Sequence, residues 1–273
     1  SNFSSLTGNT AYNNSVAGFY LNSSNYCNVT ANKAYYQNGS GGSGFYILSS
    51  NFSSLTGNTA YNNPLNGFYL GSSDYCNVTG NKVYNQNDSG DYGFYVNNCD
   101  YMNISTNNVT ANFYGYYFGT SSNNTIAFNN VTSSFADIYF FSGNDNNITD
   151  NIVTGGAVGI RNGGSRHLVK NNLVSETYQY GFYATGQGSA YINNTARNND
   201  VAFYFVPGSA NTTNNFVFSN TIGFWCQAGS GYYLNITGNV VYNSSWSGFN
   251  FTECGIYSNI TNNSIYNNTY GLF

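Results

Sequence analysis

Residues 50–82 read SNFSSLTGNTAYNNPLNGFYLGSSDYCNVTGNK, and residues 1–33 read SNFSSLTGNTAYNNSVAGFYLNSSNYCNVTANK. The two stretches match almost letter for letter, and each contains two weaker copies of one shorter unit. The true period is therefore about half the long one, roughly 21 to 26 residues, and it continues to the end of the 273-residue chain. One column of the repeat is an asparagine: Asn9, Asn32, Asn58, Asn81, Asn107, Asn129, Asn151, Asn171, Asn194, Asn215, Asn239 and Asn263. Two residues after each asparagine lies a small or branched apolar residue, such as Ala34, Val83, Val109 or Leu173. Three residues before it the slot is mostly apolar again, as at Val29, Val78, Ile104 and Leu168.

A further column pairs glycine with a large apolar residue: Gly18-Phe19, Gly44-Phe45, Gly67-Phe68, Gly93-Phe94 and Gly115-Tyr116, with Asp137-Ile138 as an exception. Two residues beyond Phe19, Phe45, Phe68 and Phe94 stand Leu21, Ile47, Leu70 and Val96. Apolar residues at every second position mark a strand with one buried face. No stretch shows a helical period. Each unit thus holds two or three short strands, and about 22 residues per turn is one coil of a solenoid. The expected fold is all-β, a right-handed parallel β-helix of about twelve coils, with residues 1–273 forming one such unit. Coils about 4.8 Å apart make a rod of roughly 55–60 Å. The asparagines should stack as a ladder at an inward turn, their amides pairing with each other and with the turn backbone.

Composition agrees. Only 6% of residues are charged and 19% are aromatic, most of these tyrosine; an ordinary soluble domain carries about 25% charged residues. Six basic residues and a net charge of −4 leave no cationic footprint for phosphate, so nucleic acid is not an expected partner. No apolar run approaches the roughly 20 residues of a membrane span. About twenty Asn-x-Ser/Thr triplets occur. Asn28, Asn77, Asn103, Asn147, Asn235 and Asn259 are candidate glycosylation sites, although a chain this rich in Asn, Ser and Thr also makes such triplets by chance. Low charge, dense hydroxyls and these triplets point to an extracellular or cell-surface location.

The pattern GFYLxxSSxYxNVTxNxVYxN resembles the NosD-type parallel β-helix repeat, and the resemblance covers essentially the whole chain. It implies a fold shared by lyases, adhesins, surface-layer proteins and filaments. Tyrosine-rich, charge-poor versions resemble archaeal cell-surface proteins and subunits of extracellular filaments.

Candidate chemistry is sparse. Asp74 and Asp100 align on successive coils, as a calcium site, a carboxylate pair or two turn residues. Arg161, Arg166, His167 and Lys170 cluster in sequence with Glu176, as a contact for a partner or an acidic sugar, or as an irregular loop with solvated charges. A single histidine excludes a multi-histidine metal site, so neither metal nor cofactor is expected. Cys27 and Cys76 alternate in phase with Val29 and Val78 and read as core residues; pairing of Cys76 with Cys99, or of Cys226 with Cys254, is not favoured. The residue after each Gly-apolar pair should point outward: Tyr20, Tyr46, Tyr69, Tyr95, Tyr117, Tyr139, Arg161, Tyr183, Tyr204 and Trp225. These tyrosines are the candidate interface or glycan-binding residues, because an aromatic stripe exceeds what a monomer ordinarily exposes. A second outward column holds Tyr12, Tyr35, Tyr61, Tyr84, Tyr242 and Tyr266.

Scarce carboxylates and cations oppose acid–base catalysis, so the chain is expected not to be an enzyme. The expected role is a rod module of a filament, sheath or surface layer, meeting copies of itself or other surface subunits. The alternative is a glycan-binding adhesin or a lyase-like β-helix. The opening SNFSSLTGN repeats an internal segment and the closing YGLF falls at a normal coil position. Unpaired strand edges at such ends predict head-to-tail stacking, or a segment of a longer array.

Overall fold

The computed structural model describes residues 2–39, 41–86, 90–206, 208, 210–227, 233–252 and 258–273. Every element in it is a strand, and all pair in parallel with the coil above and below, making a right-handed β-solenoid. One coil, taken as an example, has a first strand Asn77–Thr79, a second Lys82–Tyr84 and a third Tyr92–Asn97. First strands stack into a 12-stranded sheet, and second and third strands merge into a 22-stranded sheet. They merge because Asn108–Thr120 and Asn130–Ser142 run through the intervening corner unbroken, each for 13 residues.

Register follows the sequence columns. Val78 lies opposite Ile104, Val83 opposite Val109 and Phe94 opposite Tyr116. All six are fully buried. The core aromatics form a stack of their own, Phe19–Phe45–Phe68–Phe94–Tyr116, with ring centroids 4.9, 4.5, 4.7 and 4.8 Å apart. Parallel in-register strands place identical side chains one coil rise apart, which is the spacing of offset-stacked rings.

The corner between first and second strands is built the same way in all twelve coils. The residue before the inward asparagine is left-handed, with φ from 54° at Ala31 to 69° at Gly238. That turn aims the next side chain inward, where its amide closes a continuous ladder. Asn107 shows the pattern. Its Oδ1 accepts from the backbone N–H and side-chain amide of Asn81 (2.8 and 3.0 Å), and its Nδ2 donates to Val78 O and Asn129 Oδ1 (both 3.0 Å). Each amide therefore satisfies backbone groups that would otherwise be buried without partners.

One coil shifts the expected column. Asn171 is the left-handed residue, at φ 57°, and is exposed; Asn172 takes the inward slot and accepts from Asn151. Its neighbours shift equally, so that Val169 and Val174, not Leu168 and Leu173, fill the core columns. With two asparagines in a row, composition alone does not show which one makes the turn.

The glycine column has a steric cause. A Cβ on Gly67 would lie 2.4 Å from Val83 Cγ1 and 2.7 Å from the carbonyl oxygen of Gly93 in the next coil. The coils approach too closely there for any side chain. Asp137 breaks this column where two strands run through the corner. Its Oδ1 accepts from Ser133 N at 2.6 Å, doing what a side-chain amide does in the same corner elsewhere, as Gln86 does for Asn63 N. Burial raises its carboxyl well above the usual carboxylate range.

Cys27 and Cys76 are buried, as expected of core residues, and Cys99 is buried as well; Cys76 and Cys99 are not joined in a disulfide. Cys226, for which pairing was not favoured, is disulfide-bonded; Cys254 lies outside the described residues.

Candidate polysaccharide-facing surface

Tyr20, Tyr46, Tyr69, Tyr95, Tyr117, Tyr139, Arg161, Tyr183, Tyr204 and Trp225 form one outward column of third strands, each opposite the next. The column is not uniformly open. Tyr20 is 55% exposed, whereas Tyr139 and Tyr204 are 9% and 7% exposed. A second outward position two residues before the core aromatic adds Tyr92, Tyr114 and Tyr180. That position was not anticipated, because strict alternation would turn Tyr92 inward. The close-packed Gly93 bends the strand, so Tyr92 and Tyr95 both face out.

Ring orientation divides this face in two. From Tyr20 to Tyr117 the rings lie face to face, 4.3 to 5.4 Å apart and within 17° of parallel. Their faces cover one another, and the rod surface meets only edges and hydroxyls. At Tyr117–Tyr139 the stack breaks: the next ring is perpendicular, at 89°. Beyond it Tyr183–Tyr204 and Tyr204–Trp225 are tilted by 49° and 59°. Arg161 sits in this turned region with its guanidinium carbon 4.7 Å from the Tyr139 ring centroid and 4.8 Å from that of Tyr183. Burial pushes the Tyr204 phenol up to about 12, so it stays a neutral donor, to Gln227 Oε1. In this turned region Tyr139 and Tyr204 are buried, whereas Tyr183 and Trp225 are half-buried.

An additional ladder was not foreseen. Phe3, Tyr26, Phe52, Tyr75 and Tyr101 stack 4.9 to 5.0 Å apart along the corner before the first strands, all left-handed (φ 57–59°) and 46–78% exposed. Bulky residues rarely take this conformation. The signal in the sequence was the repeated Asn/Asp-aromatic pair two residues before Asn28, Asn77 and Asn103.

The other sequence candidates are dispersed. Asp74 Oδ1 accepts from Asp100 N at 2.9 Å, and Asp100 Oδ1 accepts from Ser122 N at 2.7 Å, so both carboxylates serve the turn backbone. Arg166 pairs with Asp145 at 2.6 Å and holds that carboxyl below its usual range. Lys170 lies on the 12-stranded sheet and Glu176 in an exposed left-handed turn. Asn28, Asn77, Asn103, Asn147 and Asn259 start first strands and Asn235 is the second residue of one, and Asn103 donates to Asn77 and Asn259 to Asn235 at 2.9 and 3.1 Å. The triplet thus coincides with strand alternation: asparagine out, apolar in, hydroxyl out.

His167 is buried in the third corner, where its Nδ1 accepts from Asn146 N at 3.3 Å. Burial lowers its pKa from 6.5 to about 4. The unfolded chain takes up the proton near 6.5 while the folded one resists until about 4. Stability is therefore intact above pH 6.5 and falls by about 3 kcal/mol as the pH drops to 4. His167→Asn, which continues the Asn124–Asn146 ladder, should flatten that part of the melting-temperature profile.

The right-handed β-helix region family matches residues 92–235 and 136–273. The chain belongs to this family. Residues 1–136 match the family of the periplasmic copper-binding protein NosD, in line with the resemblance of the repeat. Copper does not fit the residues present. Among the described residues no three His, Cys, Asp or Glu side chains gather. Burial raises the Cys76 and Cys99 thiols to about 11 and 12, away from the thiolate a metal needs. No curated protein matches the chain. Among solved structures, the A-module of the Azotobacter vinelandii mannuronan C-5 epimerase AlgE4 is similar at 12% identity and TM-score 0.63, over 98% of this chain and 88% of that one. The periplasmic alginate epimerase AlgG is similar at 12% identity and TM-score 0.57, over 95% and 76%. Both neighbours are enzymes. This corrects the expectation of a chain without catalysis: scarce charge is no ground for excluding it in an architecture that carries it elsewhere. At this identity the likeness shows the fold. No helix among the described residues is long and apolar enough to cross a membrane.

Proposed function

We propose that this β-helix works at the cell envelope or outside the cell and holds polysaccharide against its tyrosine-bearing face. The carrying observation is the change of ring orientation after Tyr117, which ends the face-to-face stacking and leaves the half-buried Tyr183 and Trp225 tilted against their neighbours. The neighbours AlgE4 and AlgG, by name epimerases of mannuronan and alginate, support it by analogy of fold. A ring stacked on a sugar contributes about 1 kcal/mol. The double variant Tyr180→Ser/Tyr183→Ser should therefore weaken polysaccharide binding about 30-fold, read by affinity electrophoresis. Tyr12→Ser, in the other outward column, should leave it unchanged. Equal binding by all three proteins would refute the assignment of this face.

A second reading, a rod module of a filament, sheath or surface layer, is favoured by the exposed corner ladder from Phe3 to Tyr101. Replacing Tyr26, Phe52 and Tyr75 by serine should then abolish association of the chain with itself, measured by sedimentation.

A further inference from the structure

We infer that the corner around Asp137 is a calcium site, built from oxygens of one coil and roofed by two glycines of the next. It lies between second and third strands, and the inference is independent of the glycan reading. Asp137 stands where most coils carry glycine, and it is fully buried. One carboxylate oxygen, Oδ1, accepts from Ser133 N. The other, Oδ2, is buried with no hydrogen-bond partner among the described residues, and so is the hydroxyl of Ser133. The ion pair among those residues joins Arg166 to Asp145, in another corner. A carboxylate taken out of water with neither a cation nor a donor at one oxygen is costly, and a bound cation removes that cost.

The following coil leaves the place for it. Gly155 and Gly156 are both left-handed, at φ 86° and 69°, and half-buried over the corner. A Cβ on Gly156 would have three oxygens as its nearest neighbours: Asp137 Oδ2, Phe135 O and Ser133 O, each at 3.3 Å. Phe135 O also accepts from Ala157 N at 2.9 Å, and a carbonyl keeps a second lone pair for a metal. A carboxylate and two carbonyls, with no nitrogen or sulfur among them, suit a hard cation. Calcium takes oxygen ligands at about 2.4 Å in flexible geometry, so the ion sits closer to these three than a methyl carbon would. The Ser133 hydroxyl and water entering past the two glycines complete its shell. Magnesium demands a nearly ideal octahedron, which carbonyls fixed by strand pairing do not readily provide. A single carboxylate in the shell places the dissociation constant at about 0.1–1 mM, the range of extracellular calcium modules.

The test follows the melting temperature and the terbium luminescence of the full chain. Tyr178 donates its hydroxyl to Ser134 O at 3.3 Å, so a tyrosine stands at the corner to excite bound terbium. After dialysis against EDTA, calcium chloride at about 10 mM should raise the melting temperature by about 3 °C or more. Terbium should luminesce and be displaced by calcium. Sodium chloride of equal ionic strength should not reproduce the shift, and magnesium chloride should give less than half of it. Asp137→Asn should lose both signals and keep the fold, because its amide oxygen still accepts from Ser133 N. Gly156→Ala, which puts a methyl group beside the ion's place, should lose both whatever its own stability. Asp74→Asn, in a different corner, should keep both. Wild type lacking either signal overturns the inference. Signals that survive Asp137→Asn or Gly156→Ala overturn it as well, because the ion then sits elsewhere. A shift matched by sodium or magnesium overturns the assignment to calcium.

Discussion

Replacing Asn107 by alanine should cost about 4 kcal/mol or more, and should divide one melting transition into two. The side chain makes four hydrogen bonds in the dry interior, to Asn81 N, Asn81 Nδ2, Val78 O and Asn129 Oδ1. Alanine leaves Asn81 N without its side-chain acceptor, at about 1–3 kcal/mol, and removes three further bonds at about 1 kcal/mol each, although Asn81 Nδ2 keeps Leu55 O and Asn129 Oδ1 keeps Asn107 N and Tyr116 Oη. In a solenoid a coil touches only its neighbours, so stability is a sum of coil and interface contributions. A break at Asn107 weakens the coupling between the coils before it and those after it. Differential scanning calorimetry should resolve the two halves. Asn108→Ala, at the next and exposed position, should change stability by less than about 0.5 kcal/mol. A single unshifted transition for Asn107→Ala would show that water enters the corner and replaces the amide.

Phe94→Ala should destabilise the rod by about 4 kcal/mol. The ring is fully buried and stacks on Phe68 at 4.7 Å and on Tyr116 at 4.8 Å. Neither neighbour can collapse into the gap, because backbone pairing fixes the coils on both sides. The cavity therefore persists, and the cost should lie toward the upper end for such substitutions. Tyr95→Ala, one residue along but half-buried on the outer face, should cost about 1 kcal/mol. Urea unfolding midpoints of the two variants give the comparison. Similar losses would invert the assignment of inside and outside for this strand.

The inward columns were legible because they repeat under the strongest constraints in the molecule. Burial, close coil approach and the left-handed corner allow few residue types, so Asn81, Val83, Gly93 and Phe94 recur in kind. The slip from Asn172 to Asn171 marks the limit: when two adjacent residues both suit the turn, spacing must decide, and this interval was shorter than its neighbours. The outward face was legible as a column and not as a surface. Spacing places Tyr95 beside Tyr117, but whether rings lie face to face or edge to face depends on what stands in the next coil. The bend at Gly93 that turns Tyr92 outward is likewise invisible to a rule of alternation. Arg161 stood out in the sequence as a departure, yet its grouping with Arg166, His167 and Lys170 was an accident of proximity along the chain.

The asparagine ladder has a direction. From Asn9 to Asn263 every side-chain amide gives its N–H to the oxygen of the amide in the following coil, in eleven successive hydrogen bonds with no reversal. Cut at any level, the rod shows amide donors on one cross-section and amide acceptors on the other. Its interior is thus a vector, with small dipoles aligned head to tail and each polarising the next. A duplicated coil, inserted anywhere in the same sense, finds every donor and acceptor waiting for it, whereas an inverted coil would set donor against donor. Lengthening by tandem duplication is therefore the change this interior accepts most easily, and the near identity of residues 1–33 and 50–82 is the mark such a step leaves in a sequence.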